Sequence, residues 1–127
     1  MQIDTHRKID PKLCGVPLEA ANGCSRVALT ATERMAADDT GLTHGGFIFG
    51  LADYAAMIAV NHPNVVLGAA EVKFLKPVKT GETVIASAET VSVSGKKHQV
   101  AVSVNRGETT VFSGTFTCFV LETHVLG

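Results

Sequence analysis

Asp53 stands alone among apolar side chains. From Phe47 to Val60 it is the only ionisable group apart from the phenol of Tyr54. The same stretch opens with Thr43-His44-Gly45-Gly46. A carboxylate in apolar surroundings is costly unless it has partners or a task. Two glycines at a helix start leave backbone N–H groups open to a ligand oxygen. The pair suits acyl transfer: a bare N–H can polarise a carbonyl, while the carboxylate attacks it or directs a water at it.

These residues need elements to hold them. The run Gly46–Val60 predicts a helix that is apolar all round and therefore wrapped by other structure. It stops near Asn61-His62-Pro63, where proline prevents continuation. After Pro63 the pattern changes to a period of two. Strands are predicted at Val65–Leu75, Glu82–Ser94, His98–Asn105 and Thr109–Leu121, with turns at Ser94-Gly95-Lys96 and at Asn105-Arg106-Gly107-Glu108. Ahead of the helix, Cys24–Thr32 reads as a first strand, and Ala36–His44 as a loop of turn formers. Residues 1–22, with Pro11 and Pro17, read as a short helix or irregular entry. One helix apolar on all sides needs a sheet curled about it. The expectation is α+β, the hotdog fold: an antiparallel sheet of about five strands around one central helix, as a single domain over 1–127. Its open sheet edges call for a homodimer, with a homotetramer as the next step up.

Composition narrows the function. A formal net charge of −1 argues against nucleic-acid binding. No stretch is long and apolar enough for a membrane span, and the first ten residues do not read as a signal peptide, so a cytoplasmic protein is expected. Cys14, Cys24 and Cys118 lack CxxC spacing and are expected as free thiols buried like small hydrophobes. His6, His44, His62, His98 and His124 are scattered, so no metal site is expected.

The stretch Gly41-Leu-Thr-His44-Gly45-Gly46, followed by Leu51-Ala52-Asp53, resembles the hotdog thioesterases related to phenylacetyl-CoA thioesterase. These carry His-Gly-Gly with an acid nine positions after the histidine. Glu71-Val-Lys-Phe74-Leu-Lys-Pro77-Val-Lys-Thr-Gly81-Glu82 is similar to the family's next strand and its closing turn. The resemblance covers roughly residues 37–121. It implies hydrolysis of an acyl-CoA thioester with no cofactor beyond the substrate's own coenzyme A. Asp53 would be nucleophile or general base, the Gly45 N–H the oxyanion donor, and His44 an orienting group. Asp38, Gly46 and Glu71 would contact substrate. In such dimers the site lies between protomers.

Two departures stand out. Relatives often carry an amide six residues before the histidine, where this chain has Asp38, which can accept from water but cannot donate to a carbonyl. Some members place a serine or threonine near Leu67 and Gly68, where this chain has neither. Glu71 is expected on the helix side of its strand or at the dimer seam, where it would act in their stead. Lys73, Lys76, Lys79, Lys96 and Lys97 are candidates for the phosphates of coenzyme A, and the aromatic residues for core or acyl-pocket wall.

Two other functions fit parts of the chain. Ala70-Glu-Val-Lys-Phe and Val111-Phe-Ser-Gly-Thr-Phe resemble the acyl-CoA-sensing domain of bacterial repressors of fatty-acid synthesis, which bind without turnover. Those sensors lack an acid at the place of Asp53. Asp39 and His44 have the spacing of hotdog hydratases, without their Asn-Pro motif.

Overall fold

The computed structural model describes residues 1–127. Asp10 caps a one-turn helix α1, Pro11–Cys14, by accepting from the Lys12 N–H, with Pro11 at the first turn where its missing N–H does no harm. Strands β1 (Val16–Ala21) and β2 (Cys24–Thr30) follow, then a 3-10 turn at Glu33–Met35 and the central helix α2, Gly45–Val60. Strands β3 (Val65–Phe74), β4 (Thr83–Ser94), β5 (Lys97–Arg106) and β6 (Thr109–Val120) complete the chain. All six strands form one antiparallel sheet in the order β1-β2-β4-β5-β6-β3.

The sheet therefore has six strands rather than about five. The added one is β1, in the region expected as a short helix or irregular entry. The signal was present: Asn22-Gly23, with φ of 54° and 77°, makes the tight left-handed turn that joins antiparallel strands. Pro17 and the register slip between Pro17 and Glu19 break the alternation that would have marked a strand, and both are tolerated because β1 is an edge.

Helix α2 lies against one face of the sheet. Val27 and Leu29 of β2, Val84, Ala86 and Ala88 of β4, Val100, Val102 and Val104 of β5, and Phe112, Phe116 and Cys118 of β6 are buried with it in one core. The buried Ser25 hydroxyl donates to the Ala55 carbonyl at 2.6 Å, pinning β2 to the middle of the helix. No helix is long and apolar enough to cross a membrane.

The helix ends at Asn61, in the left-handed conformation (φ 53°), two residues before the proline. Its side chain also clasps the N-terminal segment: Oδ1 accepts from the Asp4 N–H at 2.7 Å, and Nδ2 donates to the Gln2 carbonyl at 2.9 Å. Asn61→Ala loses both bonds and puts a poor residue at positive φ. The expected loss is about 2 kcal/mol, readable as a lower urea midpoint with m unchanged.

Candidate active site

His44 is the N-cap of α2, and its Nδ1 accepts from the Gly46 N–H at 2.8 Å. That bond requires a lone pair on Nδ1, so the neutral ring carries its proton on Nε2. The same bond engages the Gly46 N–H inside the turn. The Gly45 N–H, in contrast, donates to no acceptor in the chain. It lies at the positive end of a sixteen-residue helix. Gly45 lines a cavity of about 360 Å³ with Thr43, Ile48, Phe74, Lys76 and Val78. The Phe74 ring rests on Gly45: a Cβ there would lie 3.1 Å from the ring edge. His44→Ala removes the cap and should lower stability by about 1 kcal/mol, read as a fall in Tm.

Every residue of α2 from Leu51 to Ala59 is buried except Asp53, which is half-buried. Its carboxylate makes no hydrogen bond and no ion pair within the chain. Loss of hydration pushes its pKa up to about 6. Burial alone accounts for that rise, and Asp38 contributes nothing to it. The field of Asp53 reaches two thiols. Burial first, and then the Asp53 charge, raise Cys118 to about 12. Cys14 is raised by burial, by Asp10 and by Asp53. All three cysteines are free, Cys118 fully buried, Cys14 half-buried and Cys24 exposed, so only Cys118 behaves as a fully buried small hydrophobe.

Asp53 lines a second cavity, of about 370 Å³, with Thr5, His6, Met57, Leu67 and His124. Nothing local in the sequence marks Thr5, His6 or His124 as neighbours of Asp53, because the fold brings them there from the two ends of the chain. Thr5 is buried, and its hydroxyl is 2.7 Å from Nδ1 of His6. Asn64 holds the C-terminal segment by donating to the Leu121 carbonyl at 3.2 Å.

The two central groups are thus in one element but not in one cavity. Eight residues separate Gly45 from Asp53, roughly 12 Å along a helix at 1.5 Å per residue. One thioester carbonyl cannot sit within 3 Å of both in a single chain.

The remaining candidates lie further off. Asp38 is exposed and closes its own turn, accepting from the Thr40 hydroxyl at 2.6 Å and the Thr40 N–H at 2.9 Å. Those two bonds hold its carboxyl below the usual range. Asp39 is exposed too and makes no hydrogen bond to His44. Glu71 does not face the helix, one of the two places expected for it, but the opposite side of the sheet. Ala70 and Val72 pack on the core, while Glu71 and Lys73 are exposed and share a shallow depression with Ser113 and Thr115 of β6. Strand alternation decides this, since neighbouring residues take opposite faces. At Gly68, beside the β3 bulge, the Phe119 ring occupies the space a side chain would need, so no hydroxyl could stand there.

A sequence model for the family described as thioesterase superfamily matches residues 40–113. A protein of Aquifex aeolicus named methylthioribose-1-phosphate isomerase is 52% identical over 123 residues, 96% of this chain and 27% of that one. The transcription factor FapR of Caldanaerobacter subterraneus subsp. tengcongensis is 33% identical over 91 residues, 72% of this chain and 46% of that one. The chain therefore spans between a quarter and a half of the length of these two relatives. An uncharacterized protein from Pyrococcus horikoshii, solved by crystallography, has a TM-score of 0.98 at 49% identity, covering 100% of this chain and 98% of that one. The phenylacetic acid degradation protein PaaI of Thermus thermophilus has a TM-score of 0.79 at 30% identity, covering 86% of this chain and 95% of that one.

Proposed function

The chain belongs to the thioesterase superfamily, and from that premise we propose that it hydrolyses an acyl-CoA thioester to a free acid and coenzyme A. The observation that carries the reading is Asp53: an unpaired carboxylate in a cavity, on a stretch of helix otherwise buried from Leu51 to Ala59, with its pKa raised to about 6. A raised pKa makes it a stronger base than an ordinary aspartate while leaving it mostly ionised at neutral pH.

In the water route, Asp53 takes a proton from a water whose oxygen bonds to the acyl carbon. The carbonyl oxygen becomes an oxyanion held by the Gly45 N–H and the helix N-terminus. The C–S bond then breaks, and the thiolate of coenzyme A leaves and takes up a proton. In the direct route, the carboxylate itself attacks and the resulting anhydride is hydrolysed. Both routes end at the same products and need no metal. Label from ¹⁸O-water in Asp53 after a single turnover would establish the direct route with water opening the anhydride at the Asp53 carbonyl, since the water route never labels the enzyme.

The 12 Å between the two groups supports a homodimer in which Asp53 of one protomer meets Gly45 of the partner. The ten-residue edge β3, ending in the exposed Phe74 with the exposed Leu75 just beyond it, favours the same arrangement, since a long unpaired edge invites a second chain. Pairing of such dimers into a tetramer, and a cytoplasmic location, fit this reading. Lys73, Lys76, Lys79, Lys96 and Lys97 are all exposed, and Lys76, at the cavity of Gly45, is the one suited to the phosphates of coenzyme A.

The likeness to FapR keeps one other reading in view, binding of an acyl-CoA without turnover. Thiol release from short, medium and long acyl-CoAs, phenylacetyl-CoA, benzoyl-CoA and malonyl-CoA decides between them. Turnover that disappears in Asp53→Asn supports the enzyme. Tight binding of one thioester without thiol release supports the sensor.

A further inference from the structure

Thr43 immediately precedes the His44-Gly45-Gly46 turn. It is 5% exposed, yet its hydroxyl oxygen has no hydrogen-bond partner. A buried polar group left without a partner destabilises a fold and calls for an explanation. Two other side-chain oxygens share this state, on Thr90 and Asn105, and both stand at register slips of the sheet, where pairing is locally broken. Thr43 stands at no such slip. Its backbone is well placed, its N–H donating to the Val78 carbonyl at 2.9 Å.

Thr43 lines the same cavity as Gly45, where the other lining side chains are mostly aliphatic or aromatic. Besides the exposed Lys76 ammonium, two donors in that cavity are unengaged, the Gly45 N–H and the Thr43 hydroxyl. A third donor would be expected from an amide at position 38, but Asp38 has no proton to give and its oxygen is tied to Thr40. The Gly46 N–H is held by His44. An acyl oxyanion is best held by two donors, and the Thr43 hydroxyl is the one that lines this cavity with Gly45 both buried and without a partner.

We propose that the Thr43 hydroxyl is the second hydrogen-bond donor to the acyl carbonyl oxygen, beside the Gly45 N–H. This rests on the thioesterase reading. The oxygen is closed from water until substrate enters, and the side chain that must yield is Phe74, which rests on Gly45 and is 57% exposed. As the C–S carbonyl becomes tetrahedral, the hydroxyl proton is shared with the oxyanion and returns to Thr43 when the thiolate leaves, so no proton is gained or lost at this residue.

The test compares wild type, Thr43→Val, Thr43→Ser and Asp53→Asn on the acyl-CoA that wild type cleaves fastest. Thr43→Val keeps the shape and removes the donor, and kcat should fall about 100-fold with KM little changed. Thr43→Ser restores the oxygen and should recover most of that loss. Because the hydroxyl has no partner in the folded chain, Tm of Thr43→Val should equal or exceed that of wild type. Wild-type turnover that depends on Asp53 but is unchanged in Thr43→Val overturns this proposal alone. A lowered Tm in Thr43→Val, with activity lost in parallel, also overturns it by showing a structural role. If wild type cleaves no thioester, the thioesterase reading fails and this proposal with it.

Discussion

Asp53→Asn should lose about 1,000-fold or more in kcat/KM for thioester hydrolysis and become more stable at the same time. The first effect follows from removing the base or nucleophile while keeping the side-chain shape. The second follows from its environment. The folded chain holds the Asp53 proton more tightly than the unfolded chain does, since burial lifts the pKa to about 6. Stability therefore falls as pH rises from about 4 to about 6, and the loss persists above that window. For a fully dehydrated group the rise is worth about 3 kcal/mol, and for a half-buried one about 2 kcal/mol. The neutral amide avoids that loss, so Tm of Asp53→Asn should exceed wild type by roughly 5 °C at pH 7.5. The difference should vanish below pH 4, where Asp53 itself is neutral. The wild-type rate should show the matching acid limb, kcat/KM falling about tenfold per unit below pH 6. Equal melting temperatures at pH 7.5, or an activity indifferent to the substitution, would show that Asp53 is a solvated bystander.

Gly15→Ala is expected to lower the stability of the fold more than Asn61→Ala or His44→Ala does. Gly15 follows α1 with φ 111° and ψ 165°, a region open in practice to glycine only. A Cβ there would lie 2.7 Å from Cγ1 of Val27, 2.9 Å from Cδ1 of Leu51 and 3.0 Å from the Ala28 carbonyl. Val27 and Leu51 are wholly buried, one on β2 and the other on α2 next to Asp53, so neither can move aside. Backbone strain and overpacking each add about 1–3 kcal/mol, and together about 4 kcal/mol. That is a large part of the stability of a domain of this size, about 5–15 kcal/mol. The guanidinium midpoint should drop sharply with m nearly unchanged. The Cys14 thiol, adjacent to the substitution, should become reactive toward a thiol probe under native conditions. A midpoint within a few tenths molar of wild type would mean that α1 can shift without cost, contrary to the packing described.

Much of this architecture was legible in the residues because it rests on local rules. Helix α2 begins within two residues of the predicted start and ends at the predicted stop, since His-Gly-Gly and Asn61 fix its ends and an unbroken apolar run fixes its middle. The strands β3 to β6 fall within about two residues of their expected bounds, because alternation and glycine turns are local signals. Strand β1 is hidden in the sequence because proline and a register slip break its period, and only the Asn22-Gly23 turn marks it.

The candidate site divides in the same manner. His44, Gly45 and Asp53 share one helix, so their types and spacing could be read along the chain. What they face could not. The separate cavities of Gly45 and Asp53, the outward turn of Glu71, the closed turn of Asp38 and the orphaned hydroxyl of Thr43 all depend on which distant segments pack beside each residue. Linear sequence determined which groups could do chemistry, because side-chain type and helical spacing are properties of neighbours in the chain. Tertiary structure alone decided which of them are free to do it. Burial, and the engagement of each donor and acceptor, are set by contacts between segments far apart in sequence: Thr5, His6 and His124 around Asp53, Phe74 and Val78 around Gly45.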